Sequence, residues 1–139
     1  GTRRALERPD LTVLLDTNVL IRHLTGDPPE MARRATRFLA TETELVLADV
    51  VLAECVYVLQ SVYEVERPRI AEMMRAALAM PAVSADTQLF LRALEVYEVE
   101  RLDFAEAYLV AKAELTDSAA IASFDKAIDR VESVLRLVP

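Results

Sequence analysis

Apolar and polar positions along the chain alternate between two periods. Residues 11–15 (LTVLL) form a short apolar, partly β-branched run, which predicts a buried strand ending at Asp16. Thr17 and Asn18 can then cap a helix through Val19, Leu20 and Leu24, and Gly26-Asp27-Pro28-Pro29 stops it. A second helix is expected from about 29 to 40, with Met31, Ala35, Phe38 and Leu39 facing inward. Residues 44–48 (ELVLA) read as a second strand, and Asp49 can cap a helix over 50–63. Ile70, Met73, Met74, Ala77 and Leu78 make one stripe at helical spacing, predicting a helix over 67–80 that Pro81 breaks. Residues 82–85 are a short third strand. Helices follow over 87–98, capped by Asp86, and over 103–115. Residues 118–124 (SAAIASF) read as a fourth strand and 134–138 as a short edge strand.

Strands alternating with helices or helix pairs predict an α/β fold, a three-layer α/β/α domain around a central, mostly parallel sheet. The 139 residues suit one domain. Residues 11–139 are read as that domain and 1–10 as an N-terminal arm. The arm begins with Gly1 rather than Met, which suggests trimming or a vector-derived remnant. With 53% hydrophobic residues and only two glycines, the chain is neither disordered nor fibrous. No apolar run approaches the roughly 20 residues of a membrane span, and nothing resembles a secretory signal. Cys55 is the sole cysteine, so no intrachain disulfide can form, which fits a reducing cytoplasm.

The formal net charge is −7. Such a balance argues against a basic coat for nucleic acid, and it asks where the acids go. Asp16 and Asp125 each follow an apolar run at a predicted strand end, where sites form in parallel sheets. Either can also be a helix cap. Glu54 is the only charge in VVLAECVYVLQSVY, so it needs a cation, a hydrogen-bond partner or an edge position open to water. Asp103 and Glu106 share one helix face at i, i+3, either as a capping-box pair or with one or both binding metal. If these acids converge they require a cation. With one His and one Cys no zinc set exists, so an all-oxygen site for Mg²⁺ or Mn²⁺ is expected. A carboxylate-bound metal pair suits phosphodiester hydrolysis. Without the five acids, eighteen remain against sixteen bases, so most of the excess can sit in one pocket.

Four blocks in order, LLDTNVLIRHLTGDPPEMARRA, ADVVLAECVYVL, DFAEAYLVAKAEL and ASFDKAIDRV, resemble a PIN-domain ribonuclease, specifically the VapC-type toxins of bacterial toxin–antitoxin modules. The resemblance implies a Mg²⁺- or Mn²⁺-dependent endoribonuclease acting on RNA and inhibited by a cognate antitoxin. It matches Asp16 to the family's first acid, Glu54 to its helix glutamate and Asp125 to its late acid. Glu106 holds the third acid's place, where Asp is more usual, and Asp103 lies one turn earlier. The resemblance makes Ser123 and Asn18 supporting residues, Asn18 orienting Asp16 by a hydrogen bond. Arg22, His23 and Lys126 lie near the acids in sequence. Arg22 and Lys126 are the weaker candidates for contacting phosphate, and His23 is not needed as a base where metal activates water. The apolar stripes over 50–63 and 67–80 offer a face to an antitoxin helix or to a second copy in a homodimer. The competing class is a PIN-like module that binds RNA or protein without cutting. A receiver domain would need paired early acids, and a haloacid-type phosphatase would need Asp-x-Asp where Asp16-Thr17-Asn18 stands.

Overall fold

A computed structural model describes residues 11–139, and the arm expected over 1–10 lies outside the described residues. The observed order is α1 (Thr17–Thr25), α2 (Pro29–Thr41), β1 (Leu45–Val46), α3 (Asp49–Ser61), α4 (Arg67–Leu78), β2 (Val83–Ser84), α5 (Thr87–Glu95), a π-helical turn (Val96–Glu100), α6 (Phe104–Glu114), β3 (Ala120–Ala122), a 3-10 turn (Lys126–Arg130) and β4 (Leu135–Leu137). The fold is mixed α/β, as the alternating periods predict.

Local chemistry explains most boundaries. Asp16 caps α1 by accepting the Asn18 N–H at 3.2 Å. Gly26 ends it at φ 71°, a left-handed conformation that favours glycine. Pro29 opens α2, where its missing N–H is harmless. Two predicted caps are not made. Asp49 lies inside α3 and accepts a hydrogen bond from the Tyr108 hydroxyl, and Asp86 precedes α5 without a side-chain capping bond.

Every strand pairing is parallel. Leu45 lies opposite Val83, and Ala120, Ile121 and Ala122 lie opposite Leu135, Arg136 and Leu137. The run over 11–15 contributes a single bridge, Leu14 to Val46, flanked by bonds from Leu15 N–H to the Val46 carbonyl (2.9 Å) and from Val46 N–H to the Val13 carbonyl (2.8 Å). Its alternation is one-sided: Leu15 is 3% exposed and Leu14 69%. The expected central sheet is thus built as two short parallel ladders, with no ladder bond joining them among the described residues.

The core gathers Leu20, Leu45, Leu52, Leu59, Phe90, Leu94 and Tyr97, all fully buried. The α4 stripe of Ile70, Met73, Met74, Ala77 and Leu78 is part of it, because α4 packs on α3 and α5. That corrects the expectation that this stripe is offered to a partner. Of the two stretches, only 50–63 leaves large apolar residues in water, namely Val50 and Tyr57 on α3 and Val62 just past its end.

The helix predicted over 87–98 keeps α geometry only to Glu95 and then widens into the π turn, which Arg101 ends at φ 58°. Arg67 holds this segment. Its Nη1 donates to the carbonyls of Tyr97 (2.7 Å) and Leu102 (2.5 Å), and its guanidinium lies 4.2 Å from the Tyr97 ring centre. Tyr97 packs edge-on against Phe104 and donates its hydroxyl to Gln60 Oε1 at 2.6 Å. This cluster sets the entry of α6. Further along, Arg92 grips Glu114 through two bonds of 2.7 and 2.8 Å and ties α5 to α6. No helix among the described residues is long and apolar enough to cross a membrane.

Candidate active site

The acids singled out from the sequence fall into two groups, one with Glu54 on α3 and the other with Glu106 on α6, and these two helices pack against each other. The first group is Asp16 and Glu54. Asp16, at the start of α1, is exposed and spends Oδ2 on the Asn18 N–H. That bond is the helix cap, made by the Asn18 backbone, and no hydrogen bond from the Asn18 side chain to Asp16 is formed. Glu54 is not buried. It lies at the edge of α3 open to water, and its partner is the hydroxyl of Thr17, which donates to Oε1. Thr17 is the one buried polar side chain among the described residues. Read from sequence as part of a cap, it instead couples the start of α1 to the middle of α3. The charges of Glu54 and Asp16 both reach the buried Cys55. Burial first, then those two charges, push its thiol up to about 12. Cys55 is thus an inert packing residue, as its position beside Glu54 on another helix face predicts.

The second group is Glu106, Asp125 and Asp103. Glu106, on the first turn of α6, hydrogen-bonds the side chain of Asp125 at the end of the β3 segment. Burial, the bond to Asp125, and the charges of Asp125 and Asp103 push the Glu106 carboxyl up to about 7. Asp125 moves the other way. The Ala127 N–H (2.8 Å from Oδ1) lowers it first, then the bond from Glu106 and the nearby Arg130 and Arg136. Ser123 holds the loop locally, its Oγ accepting the Asp125 N–H at 3.0 Å. Asp103 precedes α6 but makes no side-chain capping bond, so the capping-box arrangement is not formed. It lines a cavity of about 340 Å³ between α3 and α6, beside Tyr57 and Gln60. Glu106, not Asp103, is the acid that touches Asp125.

The weaker candidates are placed differently. Lys126 is exposed directly after Asp125, and its charge acts on Asp129. Arg22 lines a cleft between α1 and α2, together with Asn18. His23 is bonded through Nδ1 to Thr36 at 2.7 Å, and burial lowers its pKa. That keeps it outside the acidic groups.

The chain matches the PIN-domain family over residues 13–134. It belongs to that family. No curated protein matches it. PIN domains are in general metal-dependent nucleases, so the chain has a nuclease-type fold and a hydrolase's class of chemistry.

The donors of this PIN domain fit a hard cation. Every candidate is a carboxylate, and no His or Cys joins them. The charges of Asp125 and Asp103 push the Glu106 carboxyl up, and a positive charge among these acids would relieve that repulsion. Among the described residues no three such side chains already close around one point. The arrangement is instead two acidic groups on packed helices, with exposed side chains at Asp16, Glu54, Asp103 and Asp125.

Proposed function

We propose that this PIN domain is a Mg²⁺- or Mn²⁺-dependent endoribonuclease and the toxin of a bacterial type II toxin–antitoxin module. The observation that carries the reading is the meeting of Glu106 with Asp125, with Asp103 in electrostatic reach. Like charges gathered at one place oppose folding, and a cation between them would relieve that cost. The VapC-like order of the four sequence blocks supports the toxin assignment.

Asp16, Glu54, Glu106 and Asp125 would hold the metal. A bound divalent ion supplies a water of lowered pKa and a positive charge against phosphate oxygens. The chain's own residues prepare the place. Thr17 holds Glu54, the Asn18 N–H holds one oxygen of Asp16, and Ser123 and the Ala127 N–H hold Asp125. Asp103 lies at the mouth of the α3–α6 cavity and adds negative field there. Water, not the ribose 2′-hydroxyl, is the attacking group, so products carry 5′-phosphate and 3′-hydroxyl ends. A cognate antitoxin and a second copy of the chain are the proposed protein partners. The exposed Val50 and Tyr57 on α3, and Val62 just past its end, offer them apolar surface.

The test is sequencing of RNA ends after incubation with and without Mg²⁺, wild type against Asp16→Asn. New 5′-phosphate ends that need both the metal and Asp16 are expected, and no new end population would overturn the nuclease. Induced expression should arrest bacterial growth for wild type and not for Asp16→Asn. Growth unaffected by an active nuclease would overturn the toxin assignment alone.

A further inference from the structure

α1 and α2 pack against each other but leave between them a cavity of about 440 Å³, lined by Asn18, Val19, Arg22, Met31, Arg34 and Phe38. Its polar side has unspent donors. Arg22 Nε is buried without a hydrogen-bond partner, and its Nη1 reaches only the Asp27 carbonyl at 3.4 Å, which is long for such a bond. A buried guanidinium N–H lacking an acceptor is costly, so an acceptor that reached the Arg22 guanidinium would be favoured there. Arg33, adjacent to Arg34, is engaged by Glu30 at 2.5 Å. Arg34 has no ion-pair partner among the described residues. The other side of the cavity is apolar, with Val19 and Phe38 half-buried and Met31 exposed.

An anion-binding side facing an apolar shelf matches a nucleotide: phosphate on the guanidinium groups, base on the shelf. The position agrees. Asn18, whose N–H bonds Asp16, lines the cavity, and Arg22 lies six residues beyond Asp16, about 9 Å at the helical rise. Charge agrees as well. The chain carries −7 overall, yet residues 17–41 hold four arginines against two acids, so phosphate attraction can only be local.

We infer that the α1–α2 cavity is a nucleotide subsite for single-stranded RNA, with one phosphate between Arg22 and Arg34 and a base against Phe38 and Met31. The inference rests on the nuclease reading, because it supplies that site with its substrate grip.

The experiment is fluorescence anisotropy of the full chain with labelled six-nucleotide RNAs of mixed sequence, in chelator so that nothing is cleaved. Arg22→Gln and Arg34→Gln should each weaken binding about tenfold and reduce the slope of log affinity against log salt by about 0.7. Phe38→Ala should weaken binding with the slope unchanged. Arg69→Gln, on the exposed side of α4, should change neither. Thermal melts identify any variant that fails to fold, and Arg34, being exposed, keeps the test valid if Arg22→Gln does not fold. Wild-type affinity in a folded Arg34→Gln, or no RNA binding by wild type, overturns the subsite. So does weakening confined to an acidic peptide, which would mark a protein-docking cleft. Mg²⁺- and Asp16-dependent cleavage that persists in the arginine variants would leave the nuclease standing without this subsite. Weakened binding in those variants, with no cleavage by wild type, would leave the subsite without the nuclease.

Discussion

Thr17 donates its hydroxyl to Oε1 of Glu54, thirty-seven residues away, and so fixes one candidate metal-binding carboxylate to the residue that follows another, Asp16. A buried hydroxyl needs a partner, and an exposed glutamate on a helix edge needs a restraint. Each supplies the other's.

Thr17→Val should therefore fold, since shape is kept, but leave Glu54 free to swing. Metal-dependent cleavage should fall about tenfold, with a higher Mg²⁺ requirement, while Thr17→Ser stays near wild type. A Mg²⁺ titration of initial rates reads this out. Equal activity in Thr17→Val would show that Glu54 needs no such restraint.

Glu106→Gln should raise stability while removing activity. The Glu106 carboxyl sits at about 7, above its ordinary value, so at pH 8 its charge opposes folding. A neutral amide removes that cost, and a rise of about 2–4 °C in Tm is expected in chelator at pH 8, shrinking toward pH 5. Adding Mg²⁺ should raise the wild-type Tm and not the variant's. Asp103→Asn, which does not touch Asp125, should have the smaller effect on both readouts. The reverse order would make Asp103 the direct ligand.

Arg67→Met should destabilise the fold by about 2–4 kcal/mol. It strips donors from the Tyr97 and Leu102 carbonyls and removes the cation from the Tyr97 ring. Urea denaturation gives the value. Hydrogen exchange should show the loss concentrated at the π turn and the start of α6.

The Arg92–Glu114 pair should give a stability term that acid removes. Arg92 holds the Glu114 carboxyl below its ordinary value, with Ser133 adding to the effect. A depressed acid contributes stability above its unfolded pKa of about 4.3 and loses it as pH falls through the lower folded value. Glu114→Gln should thus melt about 3–6 °C below wild type at pH 7, corresponding to about 1–2 kcal/mol, and the gap should close toward pH 3. Circular dichroism melts across that range decide it. A gap that does not vary with pH would point to packing rather than charge.

The sequence by itself determined what depends on near neighbours. Helix periods, the stop at Gly26, the strand segments at 45–46, 83–84, 120–122 and 135–137, and the placing of Asp16 and Asp125 at element starts follow from spacing and capping, which act within a few residues. The four blocks also pointed to the family that the chain belongs to. Tertiary structure decided the rest, because the same residue type serves two local roles until packing chooses between them. Asp103 and Glu106 read equally as a capping box or as ligands, and only the approach of the Asp125 loop engages Glu106 while leaving Asp103 uncapped. The α4 stripe read as a docking face until α3 and α5 covered it. Thr17 read as part of a cap until Glu54 arrived from another helix, and the π turn appears only where Arg67 gathers the carbonyls of Tyr97 and Leu102. The residue pairs named here, Glu106–Asp125, Arg67–Tyr97, Arg67–Leu102 and Thr17–Glu54, lie nineteen to thirty-seven positions apart, a range over which no periodicity carries information.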